Sequence, residues 1–237
     1  MATVSDRCAS LTPPTPVPPL EPGDRLSRAE FERRYEAMPK LKKAELIEGV
    51  VYIPSPVRLR RHGIPHFDVI TWLGNYETAT PGVTGADNVS IRLDLDNEPQ
   101  PDAVLFIDPA NGGQARITHD DYLEEAPELV AEIAASTASY DLNTKLNVYR
   151  RNGVREYIVW RVLDGQIDWF MLRDGEFVRL LPDDAGVYRS EVFPGLRLDP
   201  AAIVSGDSLS VQSTLQRGLA SPEHAAFVDR LNHEANP

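Results

Sequence analysis

The sequence predicts an α/β (α+β) domain, and three observations carry that expectation. Short apolar runs with strand character recur along the chain, as in ELIEGVVY, DAVLFI, ELVAEIA, VREYIVW and IDWFML. Stretches with helical spacing lie between them. Glycines and prolines punctuate the runs where turns are needed. With 237 residues and 42% hydrophobic content, the chain suffices for one packed domain with elaborations, or at most two small ones.

Taken in order, residues 1–24 are expected to be a disordered leader, because LTPPTPVPPLEP holds six prolines in twelve residues and favours extended conformations without a core. Ser27 with Glu30 three residues on forms a capping-box pattern for a helix running to about Ala37. ELIEGVVYIPSP reads as a strand pair turning at Gly49 and ended by Pro54 and Pro56. From His62 to Thr80, Phe67, Ile70, Leu73 and Tyr76 recur at helical spacing, with Gly82 beyond the end. Strands are expected at Val83–Leu95, Asp102–Ile107 and Leu129–Ala135, the last two separated by a polar loop or hairpin of about twenty residues. A helix from Tyr140 to Arg151 stops at Gly153. VREYIVW and IDWFMLRDG come next as strands, the second turning at Asp174-Gly175 into EFVRLL. Residues 201–237 form a helical extension with short helices at Leu209–Arg217 and Pro222–His233.

Composition narrows the function classes. No apolar stretch is long enough to span a bilayer, and MATVSDRCAS lacks the charged and apolar regions of a signal peptide. The single cysteine, Cys8, rules out an internal disulfide or a cysteine zinc cluster and has no ordered base to make it a nucleophile. A cytoplasmic setting is expected. The net charge of −12 argues against a protein that coats nucleic acid nonspecifically, since phosphate neutralisation drives such binding. It leaves a nuclease open, because a metal site is itself acidic.

Two carboxylates stand alone in strand-like apolar runs: Asp102 in PQPDAVLFI and Glu132 in ELVAEIAAS. Burying an unpaired charge costs several kcal/mol, roughly, so both call for a compensating cation. Strand alternation sets Asp102 on one face with Val104 and Phe106, and Glu132 with Val130 and Ala134. If the strands are neighbours, the carboxylates converge, and Mg²⁺ or Mn²⁺ between them keeps both ionised. In YDLNTKLNVY, Lys145 falls about 60° from the centre of the stripe formed by Leu142, Leu146 and Tyr149, and so leans towards the sheet. The plain alternative is a surface pair with Asp141 at i,i+4, worth about 0.3–0.5 kcal/mol. Asp141 itself also suits the N-cap of this helix.

These residues resemble the PD-(D/E)xK nuclease superfamily, and more closely its bacterial branch, the Uma-two family of restriction-endonuclease relatives. The likeness covers Ser27 to Leu198 through ordered blocks: ELIEGVV, SPVRLRRHG, QPDAVLFI, PELVAEIAAS, YDLNTKLNVYRRNGVREYIVW and FPGLRLD. One departure matters, for Glu132-Ile133-Ala134 carries alanine where the superfamily pattern has its lysine. The chain resembles relatives in which that lysine has moved to the next helix, here as Lys145. The resemblance implies a restriction-endonuclease-like core over residues 25–200, a mixed β-sheet flanked by helices. It also implies Asp102 and Glu132 as ligands of Mg²⁺ (or Mn²⁺), with the Ile133 carbonyl beside them. The implied activity is that of a metal-dependent DNA endonuclease hydrolysing phosphodiesters, with Asp102, Glu132, Lys145 and Glu45 as catalytic residues. Glu45 would hold a second metal or a metal-bound water, against the plain reading of a solvated strand-edge glutamate.

Other signals are weaker. Arg60, Arg61 and His62, with Arg58, form a patch suited to phosphate oxygens or simply a solvated basic loop. His62 and His66 are four apart as in zinc pairs, but Pro65 disturbs the turn and no third ligand is evident. Trp160 and Trp169 are expected to pack the sheet, and Asn111-Gly112-Gly113-Gln114 to form a turn. Two rival functions remain: a catalytically inactive nuclease-fold protein binding DNA or a protein partner, and a metal-free two-carboxylate glycosidase-like hydrolase. A homodimer is compatible with cleaving two strands.

Overall fold

The computed structural model describes residues 16–234. Helix α1 (Arg28–Glu36) begins after Ser27, whose side chain makes no cap bond. The expected capping box is not formed, because Glu30 is drawn instead to the guanidinium groups of Arg33 and Arg34 at 2.7 Å. Of the expected leader, residues 1–15, with Cys8, lie outside the described residues. Its end belongs to the fold: Leu20 is buried with Phe31, Leu46 and Val51, and the Gly23 amide donates to the Val51 carbonyl.

Strands β1 (Glu45–Ile47) and β2 (Val50–Tyr52) pair antiparallel across Glu48 and Gly49, at φ 54° and 69°. Two left-handed residues in succession give the turn whose twist matches a hairpin, and glycine makes the second one cheap. A π-helical turn, Leu59–Gly63, leads into α2 (Ile64–Thr78). This helix buries Val69, Trp72, Leu73 and Tyr76, while Phe67 is 70% exposed. Phe67 was expected in the buried stripe, but at 100° per residue six residues leave it about 120° from Leu73.

The expected strand Val83–Leu95 divides into β3 (Val83–Asp87) and β4 (Ile91–Arg92), because Asn88 takes a left-handed conformation between them. Strand β5 (Ala103–Ile107) is wholly buried. The polar connection after it contains a hairpin, β6 (Arg116–Ile117) with β7 (Leu123–Glu124), and β4 joins β7 to complete a small sheet. Strand β8 (Leu129–Ala134) is also wholly buried. A composite helix then runs through α3 (Ala138–Tyr140), a π-turn (Asp141–Lys145) and α4 (Leu146–Arg151). Strands β9 (Glu156–Arg161), β10 (Gln166–Arg173) and β11 (Glu176–Arg179) form an antiparallel meander, turning at Asp174-Gly175 as expected. A short pair, β12 (Tyr188–Arg189) with β13 (Arg197–Leu198), precedes three helices. These are α5 (Pro200–Ser205), which no periodic signal in the sequence had marked, α6 (Ser208–Leu219) and α7 (Pro222–Glu234).

The main sheet is mixed, in the order β11-β10-β9-β8-β5-β3, and only β8 and β9 are parallel. Parallel neighbours need a crossover, and the composite helix supplies it. One sheet face carries Leu105, Ala131, Ile133 and Trp160 and is covered by α2 and the tail, through Trp72, Leu215 and Phe227. Trp169 meets Trp72 edge-on at 5.9 Å, so both Trp160 and Trp169 pack the sheet. The other face carries Val104, Val130, Ala134 and Val159 beneath Tyr149 and Leu146 of the crossover. Among the described residues no helix is long and apolar enough to cross a membrane.

The hairpin β1–β2 is held to the rest by reciprocal backbone bonds between Leu46 and Glu98. The Glu98 carboxyl is buried and neither oxygen has a hydrogen-bond partner. Burial, with Glu32 beside it, pushes this acid up to about 9 from an ordinary value of 4.5. The folded chain therefore keeps a proton that the unfolded chain releases. The stabilisation it brings is complete below pH 4.5 and is lost as the pH rises through about 9. Glu98→Gln cannot ionise, so its melting temperature relative to wild type should climb between pH 4.5 and 9. The gain arises from the proton that folded Glu98 must keep, so it should grow with each pH unit up to about 9 and level off beyond. Thermal melts across that range check it, and a difference independent of pH would rule it out.

Candidate active site

Three separate parts of the chain meet at the end of β5 and β8. The antiparallel register pairs Ala103 with Ala131; one further step sets Asp102 opposite Glu132, and opposed residues of such a pair share a face. Asp102 lies just beyond β5, where the ladder has ended. Its Oδ2 accepts the Ile133 amide at 2.8 Å, in place of a continuing strand. Glu132 projects from β8 towards the crossover helix, where the Tyr149 hydroxyl donates to its Oε1 at 2.9 Å.

Lys145 closes the π-turn of that helix. Such a turn adds a residue to the helical repeat and rotates the residues after it about the axis, and here both Asp141 and Lys145 are buried. The lysine Nζ donates to Glu132 Oε1 at 2.8 Å and to Glu45 Oε1 at 2.7 Å. Lys145 thus leans towards the sheet as the helical spacing implied, and these two bonds take the place of the alternative surface pair with Asp141. Asp141 is not an N-cap either, since it lies inside the continuous helical run and Thr137 precedes the first turn. Nor is Glu45 a solvated edge residue: it is buried at the start of β1, and its Oε1 also accepts the Gln100 amide at 2.8 Å, two residues before Asp102.

Asp102, Glu132, Lys145 and Glu45 therefore line one cleft of about 940 Å³. His62 enters from the π-turn before α2, with Nε2 3.1 Å from Asp102 Oδ1. Its neighbour His66 holds the Asp102 main-chain oxygen at 2.9 Å, so the two histidines fix Asp102. Arg61 lines the cleft and is exposed; Arg58 lies beside it, whereas Arg60 is exposed and does not line the cleft. Sequence reasoning missed Lys43, whose Nζ lies 3.5 Å from Asp102 Oδ1, and Tyr140, whose hydroxyl is buried without a partner. The lysine cluster before ELIEG offers no periodic signal for choosing Lys43 over Lys40 or Lys42.

The electrostatics stem from burial. Among the cleft residues four buried acids, Glu45, Asp102, Glu132 and Asp141, face one buried ammonium, Lys145. Burial pushes Glu132 up to about 8; Lys145 opposes the shift, while Asp141, Asp102 and Glu45 add to it. Burial would also raise Asp102, but the His62 hydrogen bond, the Lys43 charge and the Ile133 amide outweigh it and hold the acid well below the usual carboxylate range. Burial would strip Lys145 of its proton, yet Glu132, Glu45 and Asp141 together raise it well above an ordinary lysine. The ammonium is thus the charge that persists in this cluster, and Glu132 is the acid that gives way. Among the described residues no group of three or more His, Cys, Asp or Glu side chains is arranged to hold a metal ion by itself.

The chain belongs to the Uma2 family, whose model is described as "Putative restriction endonuclease" and matches residues 28–201. No curated protein matches it. Similar solved structures include one described as a "putative nuclease belonging to DUF820", from Anabaena variabilis. It is 12% identical, with a TM-score of 0.49, and the likeness covers 73% of this chain and 97% of that one.

Removing the ammonium leaves two buried glutamates without their common partner. Lys145→Met should therefore cost about 3–5 kcal/mol in urea unfolding at pH 8, the range for breaking a buried ion pair. Adding Glu132→Gln should recover part of the loss, because it removes one of the stranded charges. Equal stability of wild type and Lys145→Met would show that the lysine does not hold the cluster.

Proposed function

We propose that this protein is a metal-dependent DNA endonuclease that hydrolyses phosphodiesters, with Asp102 and Glu132 holding Mg²⁺ (or Mn²⁺). The observation that carries the reading is the surplus of buried acids: four against one buried ammonium, with the half-buried Lys43 beside Asp102, in a single cleft. Such a donor set suits a hard cation, and Mg²⁺ takes only one or two protein carboxylates, completing its shell with water and substrate phosphate. That limit accords with the lack of a larger ligand cluster among the described residues. The Ile133 carbonyl shares the strand edge of its own amide, which faces Asp102, and so offers a further oxygen.

When bound, the cation would neutralise charge on the scissile phosphate and favour a water as nucleophile near neutral pH. The chain's own residues do the rest. Lys145 holds Glu132 and Glu45 in place and keeps a positive charge in a dry site, where it stabilises the negative charge that grows on the phosphate oxygens. Glu45, held by Lys145 and the Gln100 amide, positions the water or a second cation. His62 and His66 orient Asp102, and Tyr149 fixes Glu132. Arg58 and Arg61 at the rim attract the flanking phosphates.

The test is cleavage of plasmid and single-stranded DNA with Mg²⁺ or Mn²⁺. Asp102→Asn, Glu132→Gln and Lys145→Met should each lose at least roughly a hundredfold in rate, the scale of removing one transition-state contact. Cleavage that survives a chelator, or variants as active as wild type, would refute the reading. A second reading, a nuclease-fold protein that binds DNA without cutting it, is favoured by one observation: Asp102 Oδ1 is shared by His62 and Lys43. Calorimetry separates the two, since an inactive site should show no metal affinity that depends on Asp102 and Glu132.

A further inference from the structure

The cleft separates its charges by depth. Every acid that lines it is buried: Glu45, Asp102, Glu132 and Asp141. Its exposed lining residues, among them Pro54, Ser55, Val57, Arg58, Arg61 and Leu163, are all neutral or basic. On a chain of net charge −12, an exposed lining without acids departs from the average, although Asp87 and Asp164 flank it in sequence. Arg58 and Arg61 there offer an anion its partners.

The mouth is also apolar. Val57 is 67% exposed on one wall and Leu163 is 60% exposed at the β9–β10 turn on the other. Tyr140 lines the cleft as well, backed by the Tyr52 ring 4.6 Å away, and its hydroxyl is buried with no partner. Apolar and aromatic surface beside arginine is what unstacked bases require, because each base offers a π-face and each phosphate a charge. A stacked duplex presents neither face.

Size points the same way. A cleft of about 940 Å³ falls among those that enclose small ligands, roughly 300–1,000 Å³, and so takes in a nucleotide or two. Asp102 and Glu132 are 3% and 5% exposed at its floor. Phosphates lie on the outside of a duplex, but bases that reach the apolar and aromatic lining must leave the stack, at a cost of about a few kcal/mol.

Building on the endonuclease reading above, we propose that the substrate enters as a single strand: unpaired DNA whose bases rest on Val57, Leu163 and the Tyr140 ring while Arg58 and Arg61 take its phosphates. Duplex DNA would be a substrate only at frayed, gapped or flipped positions.

The full chain, in calcium buffer and with the probe checked to be intact, is titrated by fluorescence anisotropy with labelled oligothymidine and with a blunt duplex of equal length. Single-strand binding should be at least tenfold tighter. Leu163→Glu, an exposed change that adds an acid to the mouth, should weaken it about tenfold. Leu209→Glu, on the still more exposed Leu209 of α6 outside the cleft lining, should leave it unchanged. Equal or tighter binding of the duplex overturns the inference while leaving the endonuclease reading intact. Wild-type affinity in Leu163→Glu overturns the role of the mouth. Binding of neither probe at low salt removes both readings.

Discussion

The Lys145 ammonium is the constraint on which the site depends. Among the described residues it alone forms ion pairs with both Glu45 and Glu132, and so joins the β1–β2 hairpin to the centre of the main sheet. Two glutamates this deeply buried would otherwise repel one another across the cleft. With the ammonium between them, strand β8 tolerates an acid in the middle of a fully apolar run. The crossover helix is held down at the same point. Local electrostatics and tertiary packing are therefore one arrangement, and the π-turn is the backbone feature that lets Lys145 reach both acids.

Much of the framework was legible because period and punctuation are strong there. The wholly apolar β5 and β8, the turns at Gly49 and Asp174-Gly175, and the helix ending before Gly153 are all encoded within a few residues. Asp102 and Glu132 could be singled out for the same reason, since a lone acid in an apolar run has few explanations. Their opposition across the sheet comes from register, which local sequence does not specify. The resemblance to the family pattern supplied the pairing that spacing could not.

The features that sequence left hidden depend on contacts between distant segments or on departures from ideal helices. The expected 3.6-residue repeat placed Leu142 and Leu146 at the centre of the buried stripe. The extra residue of the π-turn also carries Asp141 into the buried face, beside the Lys145 that the repeat had already leaned towards the sheet. Phe67 matched a helical spacing, yet lies on the wrong side of α2. Glu30 matched a capping box, but two arginines one turn away compete for it. Lys43 and Tyr140 carry no sequence signal for the cleft, because one approaches from a loop before β1 and the other from the start of the crossover.

The bond between Glu45 and Lys145 spans a hundred residues of chain, and this separation has a consequence in time. Synthesis proceeds from the amino terminus, so Glu45, Asp102 and Glu132 all leave the ribosome before the ammonium that reconciles them. Until then these acids stay in water, and β8 still lacks β9, the parallel neighbour that completes its place in the sheet. The charge cluster therefore cannot assemble on a chain that ends before the crossover helix. It waits until β3, β5 and β8 have all been made, so the acids of three distant segments stay unreconciled until one late ammonium arrives.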